Sequence, residues 1–321
     1  MSIVVVSTGG TIASTEDAGG DASPDLTGAD LVAAVPGLGG VADVSTHEFS
    51  TVPSPHFTIE DMADLADLAR EYDEDPEVEG VVVTQGTDVL EESAHFVDRC
   101  YGGETPVVFT GAMRNPSLAS PDGPGNLLAS VRVAAHPGAR DLGVLVCFND
   151  RVLAARHATK TSSMNLDTFR APEFGPLGTV DEDRVTWASR PAERAPAHDI
   201  DRERLTNDVR AVTVTADMPD ATFRAATDAA AVCLAATGAG HVPPGILPAL
   251  EALREAGVPL VATTRCPEGR LARHTYDFPG SEASLRELGC YVADRNLQKT
   301  RIETVVALAA DALEQTFDRP G

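Results

Sequence analysis

Lysine is nearly absent from this sequence, which carries 49 acidic residues against 25 basic ones. Only Lys160 and Lys299 are lysines, and arginine supplies the other 23 of the 25 positive charges. The formal net charge of −24 would repel nucleic acid and anionic membranes, so we expect neither as a partner. An acidic, lysine-poor chain is typical of adaptation to a high-salt cytoplasm, where screening weakens repulsion between carboxylates. Improved solubility is the alternative explanation.

Cysteine is sparse as well, and its five positions form no CxxC pair. An odd count without paired spacing indicates neither a disulfide framework nor a zinc site. The apolar run at the start is too short for a signal peptide or a membrane span, and no basic leader precedes it. We therefore expect a cytoplasmic protein that uses no metal ion and no organic cofactor.

The opening segment Ile3–Ala13 (IVVVSTGGTIA) predicts a buried parallel strand that ends at Gly9-Gly10. Adjacent glycines let the backbone adopt conformations that side chains forbid, and they let a ligand approach closely. The hydroxyl of Thr11, just beyond them, is therefore a candidate nucleophile. The structural alternative is a turn-forming threonine whose hydroxyl bonds nearby backbone.

The segment Gly80–Asp88 (GVVVTQGTD) repeats this pattern of a valine-rich strand followed by glycine and threonine. Ligands of open parallel sheets bind outside the carboxyl ends of the strands, so Thr87 and Asp88 are predicted to face the same crevice as Thr11. Asp88 and Glu91 also fit a capping box at the start of a predicted helix over 89–100. That structural role and a role in binding a substrate ammonium can coexist.

Lys160 lies in the segment HATKTSS and is informative because lysine is so scarce. An amine can give up its proton and serve as a base, whereas a guanidinium cannot. A surface lysine retained by chance is the alternative. Lys299, which precedes a predicted helix over 301–317, is a weaker candidate. His241 follows a predicted strand, and we interpret it as a loop histidine rather than a base.

The segments that carry these residues resemble the signature motifs of the bacterial-type L-asparaginases, the asparaginase/glutaminase family. The match extends over nearly the whole chain in the same order. The matching segments are VVSTGGTIA (5–13), TQGTD (84–88), TGAMR (110–114), SPDGPGNL (120–127), HATKTSS (157–163) and NLQKTR (296–301).

The resemblance implies hydrolysis of the side-chain amide of L-asparagine, or of L-glutamine, through a threonine acyl-enzyme. Thr11 would be the nucleophile, and Thr87, Asp88 and Lys160 would form a second catalytic group. Asp88 would also hold the substrate ammonium. Ser54 is the best match to a serine that contacts the α-carboxylate, with an ordinary loop serine as the alternative. The backbone near Ala112 or Thr87 would stabilise the oxyanion.

Three departures from the family pattern bear on function. No tyrosine lies between Thr11 and Tyr72, although the family carries one in the loop that here corresponds to Ser14–Asp25, predicted to be a mobile lid. Gln85 replaces a usual histidine. Pro55 follows Ser54 where many relatives have a polar side chain, so the backbone at Ser54 is expected to be extended.

The alternation of strands and helices predicts an α/β protein with two domains. Residues 1–187 would form a larger, doubly wound, mostly parallel sheet of Rossmann or flavodoxin type. Residues 188–208 would be a linker, and residues 209–321 a smaller α/β domain. Helices are expected from Asp30, over Thr58–Tyr72 and from Asn126.

The resemblance also implies a homodimer or homotetramer in which an acidic residue of the second domain completes the site, with Glu282 the nearest candidate. Three other functions remain open at this point. One is the glutaminase-type subunit of a tRNA-dependent amidotransferase, which normally has an extra N-terminal domain that this sequence lacks. A nucleotide-binding module is disfavoured because the GxGxxG spacing is missing. A third is an amino-acid-binding relative without turnover.

The acidity generates a stability prediction. The midpoint of thermal unfolding should rise by several degrees between dilute buffer and molar KCl, because screening reduces carboxylate repulsion in the folded state. NaCl at the same ionic strength should act similarly. A midpoint that does not move would favour the solubility explanation.

Overall fold

The structure is a computed structural model that describes residues 2–16, 22–191, 194 and 196–318. The chain divides into two compact units, Met1–Ala197 and His198–Gly321. The division falls within the segment predicted as a linker, beyond the predicted end of the first domain at residue 187. No helix in the described part of the chain is long and apolar enough to cross a membrane.

The first half of the predicted linker belongs to the first unit because two arginines attach it to backbone carbonyls. Arg190 donates from Nη1 to Gly138 O at 3.1 Å, and Arg194 donates from Nη1 to Gly103 O at 2.6 Å. The first half of the predicted linker is therefore bonded to the first unit, although its apolar content is low.

The first unit is built on one large sheet and two short hairpins. Its strands are β1 (Ser2–Ser7), β2 (Ser14–Glu16), β3 (Ala22–Pro24), β4 (Asp43–Glu48), β5 (Val78–Thr84), β6 (Val107–Thr110), β7 (Val144–Phe148), β8 (Arg151–Ala154), β9 (Thr159–Lys160), β10 (Phe169–Arg170), β11 (Gly178–Asp181) and β12 (Arg184–Trp187). Its α-helices are α1 (Gly28–Ala33), α2 (Ile59–Glu74), α3 (Leu90–Cys100) and α4 (Gly123–Ala134).

The large sheet has the strand order β12-β11-β8-β7-β6-β5-β1-β4. Strands β4, β1, β5, β6 and β7 are parallel, and β8, β11 and β12 extend the sheet with antiparallel pairs. From β1 the chain goes first to β4 on one side and then to β5 on the other. The gap between β1 and β5 is thus the topological switch point, where such sheets bind ligands.

Helices cover both faces of the parallel strands. Helix α4 packs on β5, β6 and β7, and α1 lies on the same side against β1 and β4, whereas α2 and α3 pack together on the opposite face. The strands are valine-rich because both of their faces are covered. Val5 and Val82 are fully buried, and burial of such a side chain contributes about 1.5–3 kcal/mol. The predicted doubly wound, mostly parallel domain is confirmed.

Helix starts were predicted with mixed success. Thr58 caps α2 in a capping box with Asp61, as its position before the apolar face predicts. Helix α1 begins at Gly28, two residues before the predicted start, because Thr27 forms a capping box with Asp30. Helix α4 begins at Gly123, three residues early, because Pro124 is tolerated in the first turn.

The segment Ser14–Asp25 was predicted to be a loop, and this was wrong for both of its ends. Strands β2 and β3 pair antiparallel, with Ser14 opposite Pro24. The carbonyl of Ala13 accepts bonds from the N–H groups of Asp25 and Leu26 and fixes the returning chain. Main-chain pairing of this kind requires no apolar periodicity. Residues 17–21, the middle of the predicted lid, lie outside the described residues.

The second unit holds a smaller parallel sheet with helices around it. Its strands are β13 (Val209–Thr213), β14 (Ala231–Ala236), β15 (Leu260–Thr264) and β16 (Tyr291–Val292), in that order across the sheet. Its α-helices are α5 (Ala221–Arg224), α6 (Leu247–Glu255), α7 (Glu282–Glu287), α8 (Leu297–Ala309) and α9 (Leu313–Thr316).

The helix predicted over 301–317 is instead two helices. Asn296 caps α8, which starts four residues earlier than predicted. The chain turns at Asp311, whose φ of +55° lies in the left-handed region. Lys299 consequently lies inside α8, with 2% of its surface exposed.

Candidate active site

The ends of β1 and β5 meet through their glycines. Gly9 and Gly10 have φ values of +91° and +82°, in the region that favours glycine. A Cβ on Gly10 would lie 2.2 Å from the backbone nitrogen of Gly86, so the two strand ends touch backbone to backbone. This contact brings the segments that carry Thr11 and Thr87 to one crevice.

The crevice holds three of the predicted side chains from these segments. Thr11 is half-buried and begins a 3-10 turn, Thr11–Ala13. Among the described residues its hydroxyl has no hydrogen-bond partner. The described residues that line the crevice are Gly10, Thr11, Ser14, Pro53, Ser54, Pro55, Gly86, Thr87 and Asp88.

Lys160 joins the second group directly. Its Nζ donates to Thr87 Oγ1 at 2.8 Å and to Asp88 Oδ1 at 2.7 Å, across more than seventy residues of sequence. Lys160 ends β9, which pairs with β10 so that Lys160 lies opposite Phe169. Its side chain is 14% exposed, whereas that of Asp88 is 61% exposed at the rim. A screened amine thus contacts both a hydroxyl and a carboxylate.

The capping box predicted for Asp88 is not formed. Helix α3 has Val89 as its N-cap residue, and no side chain from that residue caps it. Glu91 instead accepts a bond from the backbone N–H of Lys160 at 3.3 Å. The carboxylate of Asp88 pairs with Lys160 and does not cap the helix.

Ser54 lies in a 3-10 turn, Ser54–His56, and not in the extended backbone that we expected. Pro55 fits this turn because the fixed φ of proline is compatible with the first turn of a helix. The hydroxyl of Ser54 donates to Gly86 O at 2.6 Å and accepts from the Val89 N–H at 3.1 Å. Ser54 therefore contacts the segment that carries Thr87 and Asp88.

Ala112 is not part of the crevice lining formed by the described residues. Its side chain is 1% exposed and belongs to the core cluster that contains Ile12 and Leu127. A Cβ on Gly123, at the start of α4, would lie 3.5 Å from the Ala112 Cβ. The predicted stabilisation of the oxyanion by Ala112 would thus come from its backbone alone.

Two contributors were missed by sequence reasoning. Ser14 lines the crevice, and its hydroxyl donates to Gly10 O at 2.9 Å, which closes the 3-10 turn after Thr11. Ser14 follows Thr11 by three residues, and this spacing would have indicated its position if a short turn at Thr11 had been predicted. Glu91 was noticed only as a capping residue.

Gln85, where the family usually has histidine, is buried beside the site. Its Nε2 donates to Ser93 Oγ at 2.9 Å, which links the end of β5 to helix α3.

The buried cysteines are unsuited to nucleophilic chemistry. Burial raises the pKa of the thiols of Cys147, Cys233 and Cys290 to about 12, so they stay protonated at neutral pH. These three buried thiols are therefore not candidate nucleophiles.

In the second unit, His241 and Glu282 lie together. His241 Nδ1 is 3.9 Å from Glu282 Oε2, and the ring meets Tyr276 edge-on. Burial alone would raise the pKa of Glu282, but backbone N–H donors from Tyr276 and Thr275 outweigh it and hold the pKa below its usual range. Glu282 therefore stays ionised although it is buried.

Comparison with known proteins bears on the identity of this site. The family model described as "Asparaginase, N-terminal" matches residues 2–193, and the model for the glutaminase/asparaginase C-terminal domain matches residues 208–318. The chain belongs to the asparaginase family. The sheet switch point that carries Thr11 and Thr87 lies within the asparaginase N-terminal match.

Asparaginase relatives match over nearly their whole lengths. A glutaminase-asparaginase from Pseudomonas aeruginosa is 32% identical over 98% of this chain and 87% of its own. An L-asparaginase from Bacillus licheniformis is 31% identical over 96% and 95%. The crystal structure of a probable cytoplasmic L-asparaginase from Campylobacter jejuni superimposes with a TM-score of 0.84, at 29% identity, over 98% and 97%.

The glycine contact generates a prediction. Gly10→Ala should lower the midpoint of thermal unfolding and the activity much more than Gly37→Ala. Gly37, with φ +86° and ψ −3°, lies in the left-handed helical region, where alanine is strained by about 1–2 kcal/mol. Gly10, with φ +82° and ψ −175°, lies in a region that essentially only glycine adopts, so its alanine is strained more. Only the Gly10 Cβ would collide with backbone, since nothing lies within 4 Å of a Cβ on Gly37. Equal losses in the two variants would contradict the packing argument.

Proposed function

We propose that this protein is an L-asparagine amidohydrolase that releases L-aspartate and ammonia through a threonine acyl-enzyme. The observation that carries the proposal is the contact of Lys160 Nζ with Thr87 Oγ1 and Asp88 Oδ1 at the crevice that Thr11 lines. Hydrolysis of an amide needs a nucleophile, a group that moves protons and an electrostatic anchor, and these residues supply them.

In the first half-reaction, Thr11 Oγ1 attacks the carbon of the side-chain amide. Backbone N–H groups of Thr87 and Ala112 are the proposed donors to the resulting oxyanion. The C–N bond then breaks, the hydroxyl proton of Thr11 ends on the leaving nitrogen, and ammonia departs. An ester between the aspartyl group and Thr11 remains.

In the second half-reaction, water attacks that ester, and the bond to Thr11 Oγ1 breaks. Lys160, through Thr87 or a bound water, moves the proton that water loses. Thr11 recovers its hydroxyl proton and L-aspartate leaves. Asp88, exposed at the rim, is the proposed anchor for the substrate ammonium throughout, because an exposed carboxylate can receive a cation without displacing core contacts.

Glutamine is the second candidate substrate. The relative from Pseudomonas aeruginosa bears the name glutaminase-asparaginase, which favours this addition. The two substrates differ by one methylene, and pockets discriminate a methylene by only about 1–3 kcal/mol. We therefore expect measurable activity on both amides.

The proposal includes the setting in which the enzyme works. A net charge of −24 with two lysines supports a halophilic form that acts in a salt-rich cytoplasm. A homodimer or homotetramer is expected, with the buried, ionised Glu282 as the candidate contribution of the second unit to the site of another copy.

The nucleophile can be tested by ammonia release in molar KCl. Thr11→Ala should lower kcat for L-asparagine and L-glutamine by at least about 10³-fold, because the acyl-enzyme cannot form. Thr186→Ala, at an exposed position of β12 on the opposite edge of the large sheet, is the control and should stay within about twofold. A wild type that is folded in salt yet releases no ammonia from either amide would contradict the proposal.

The proton-transfer group can be tested by exchanging its chemistry at constant charge. Lys160→Arg should lower kcat by about 10²–10³-fold, because a guanidinium keeps its proton. Arg170→Lys makes the reverse exchange on the paired strand β10 and should have little effect. Near wild-type turnover in Lys160→Arg would leave Lys160 with an electrostatic role alone.

A further inference from the structure

The turn that follows strand β6, residues 111–114, carries Ala112, whose backbone is a proposed donor to the oxyanion. A Cβ on Gly111 would lie 2.3 Å from Gln85 O and 3.4 Å from Thr87 Cγ2. The turn therefore packs against the loop that follows β5. Because Ala112 comes directly after this contact, its backbone lies beside the candidate site, although its side chain is buried in the core.

Asp122 holds the far side of this turn. One of its carboxylate oxygens accepts the Arg114 N–H at 2.8 Å, and both oxygens accept the Met113 N–H, at 3.1 and 3.0 Å. Asp122 is the N-cap residue of α4, yet its side chain makes no capping bond to that helix. A capping side chain typically contributes about 1 kcal/mol to a helix. The carboxylate thus binds the turn and does not cap its own helix.

Asn126, one turn further along α4, holds the near side. Its Nδ2 donates to Gly111 O at 2.9 Å and to Asp122 Oδ2 at 3.1 Å, and its Oδ1 accepts the Asn149 N–H at 3.0 Å. A carbonyl only accepts and a backbone N–H only donates, so these partners fix which end of the amide is nitrogen. Asn126 is 5% exposed. Its amide therefore joins the loops after β6 and β7 to helix α4.

These bonds lie on either side of Ala112 and leave its own backbone groups free. Neither the N–H nor the carbonyl of Ala112 makes a hydrogen bond with another described residue, although the residue is 1% exposed. Unpaired buried N–H groups are rare in folded proteins, so a bound substrate is a plausible partner for this one. A donor stabilises an oxyanion best when it is already fixed in place, because no reorganisation is then needed.

We propose that Asp122 and Asn126 are positioning residues for the reaction, which hold the turn 111–114 so that the Ala112 N–H points at the oxyanion. Neither side chain is among the described residues that line the crevice, so substrate does not compete for their bonds. This inference deepens the proposed function and rests on it for its catalytic part. The hold on the turn is a property of the fold and is measurable without substrate.

Asp122→Asn tests the proposal with a side chain of the same shape. Whichever way the new amide is oriented, its NH2 group faces a donor, either the Arg114 N–H or Asn126 Nδ2. Asp98→Asn is the matched control. Asp98 also accepts a backbone N–H, from Val144 at 2.9 Å, but at the amino end of β7.

In Asp122→Asn the amides of Met113 and Arg114 should exchange their hydrogens faster than in the wild type. The kcat for L-asparagine should fall by about 10–100-fold, because removal of one oxyanion donor costs about 10²–10³-fold and here the donor is displaced and not removed. KM should change much less than kcat, because the oxyanion exists only in the transition state and the intermediate. Asp98→Asn should leave both the exchange at these amides and kcat unchanged.

Three results would overturn the inference. Unchanged exchange at Met113 and Arg114 in Asp122→Asn would show that the carboxylate does not hold the turn. A rise in KM with kcat retained would indicate a lost substrate contact. A loss of kcat equal to that of Asp98→Asn would indicate general destabilisation.

A second variant covers a failure of Asp122→Asn to fold. Asn126→Asp keeps the acceptor for the Asn149 N–H and loses the donor to Gly111 O, and its carboxylate would repel that of Asp122. Faster exchange at the turn and a lower kcat are again expected. If the wild type releases no ammonia, the proposed function fails, and exchange alone decides whether these side chains hold the turn.

Discussion

The contact between the backbones of Gly10 and Gly86 is the constraint on which the candidate site depends. Two parallel strands that leave a sheet at its switch point diverge unless their first loop residues can approach each other. Here neither loop has a side chain at the point of contact, and a single methyl group on Gly10 would lie 2.2 Å from the facing nitrogen. Thr11 and Thr87 share a crevice because each follows one of these glycines directly.

The other side chains near this contact come from distant segments of the chain. Lys160 comes from a short hairpin after the antiparallel strand β8, and Ser54 comes from a turn after β4. Both bond to the segment 86–89, Ser54 at Gly86 and Val89 and Lys160 at Thr87 and Asp88. Ser54 and Lys160 thus both contact the four residues 86–89, which connect β5 to α3.

Much of this arrangement was predictable because it follows from local patterns. Runs of valine indicated the buried strands, and the common edge of parallel strands indicated that Thr11, Thr87 and Asp88 would be near one another. The scarcity of lysine singled out Lys160. Its contact with Thr87 was implied only by the resemblance, since no sequence spacing relates residues so far apart.

Two of the wrong predictions, for Asp88 and Ser54, share a physical cause: a local sequence signal was interpreted through its neighbours in the sequence alone. Asp88 had the spacing of a capping box, but a lysine from another hairpin takes its carboxylate. Ser54 between prolines suggested extended backbone, yet it forms a turn whose hydroxyl bonds distant main chain. Backbone pairing of β2 with β3 left no apolar pattern to detect. For Asp88 and Ser54 the deciding partner lies far away in the sequence.

The distribution of lysine has a consequence for the chemical handling of this protein. Lys299 is buried in α8, and Lys160 is screened inside the site and bonded to two side chains. Side-chain amines are thus nearly missing from the surface. Reagents that couple through amines, for labelling, cross-linking or attachment to a support, have hardly any side chain to attack other than Lys160, which belongs to the candidate site. Carboxylates, abundant and exposed, are the natural points of attachment instead.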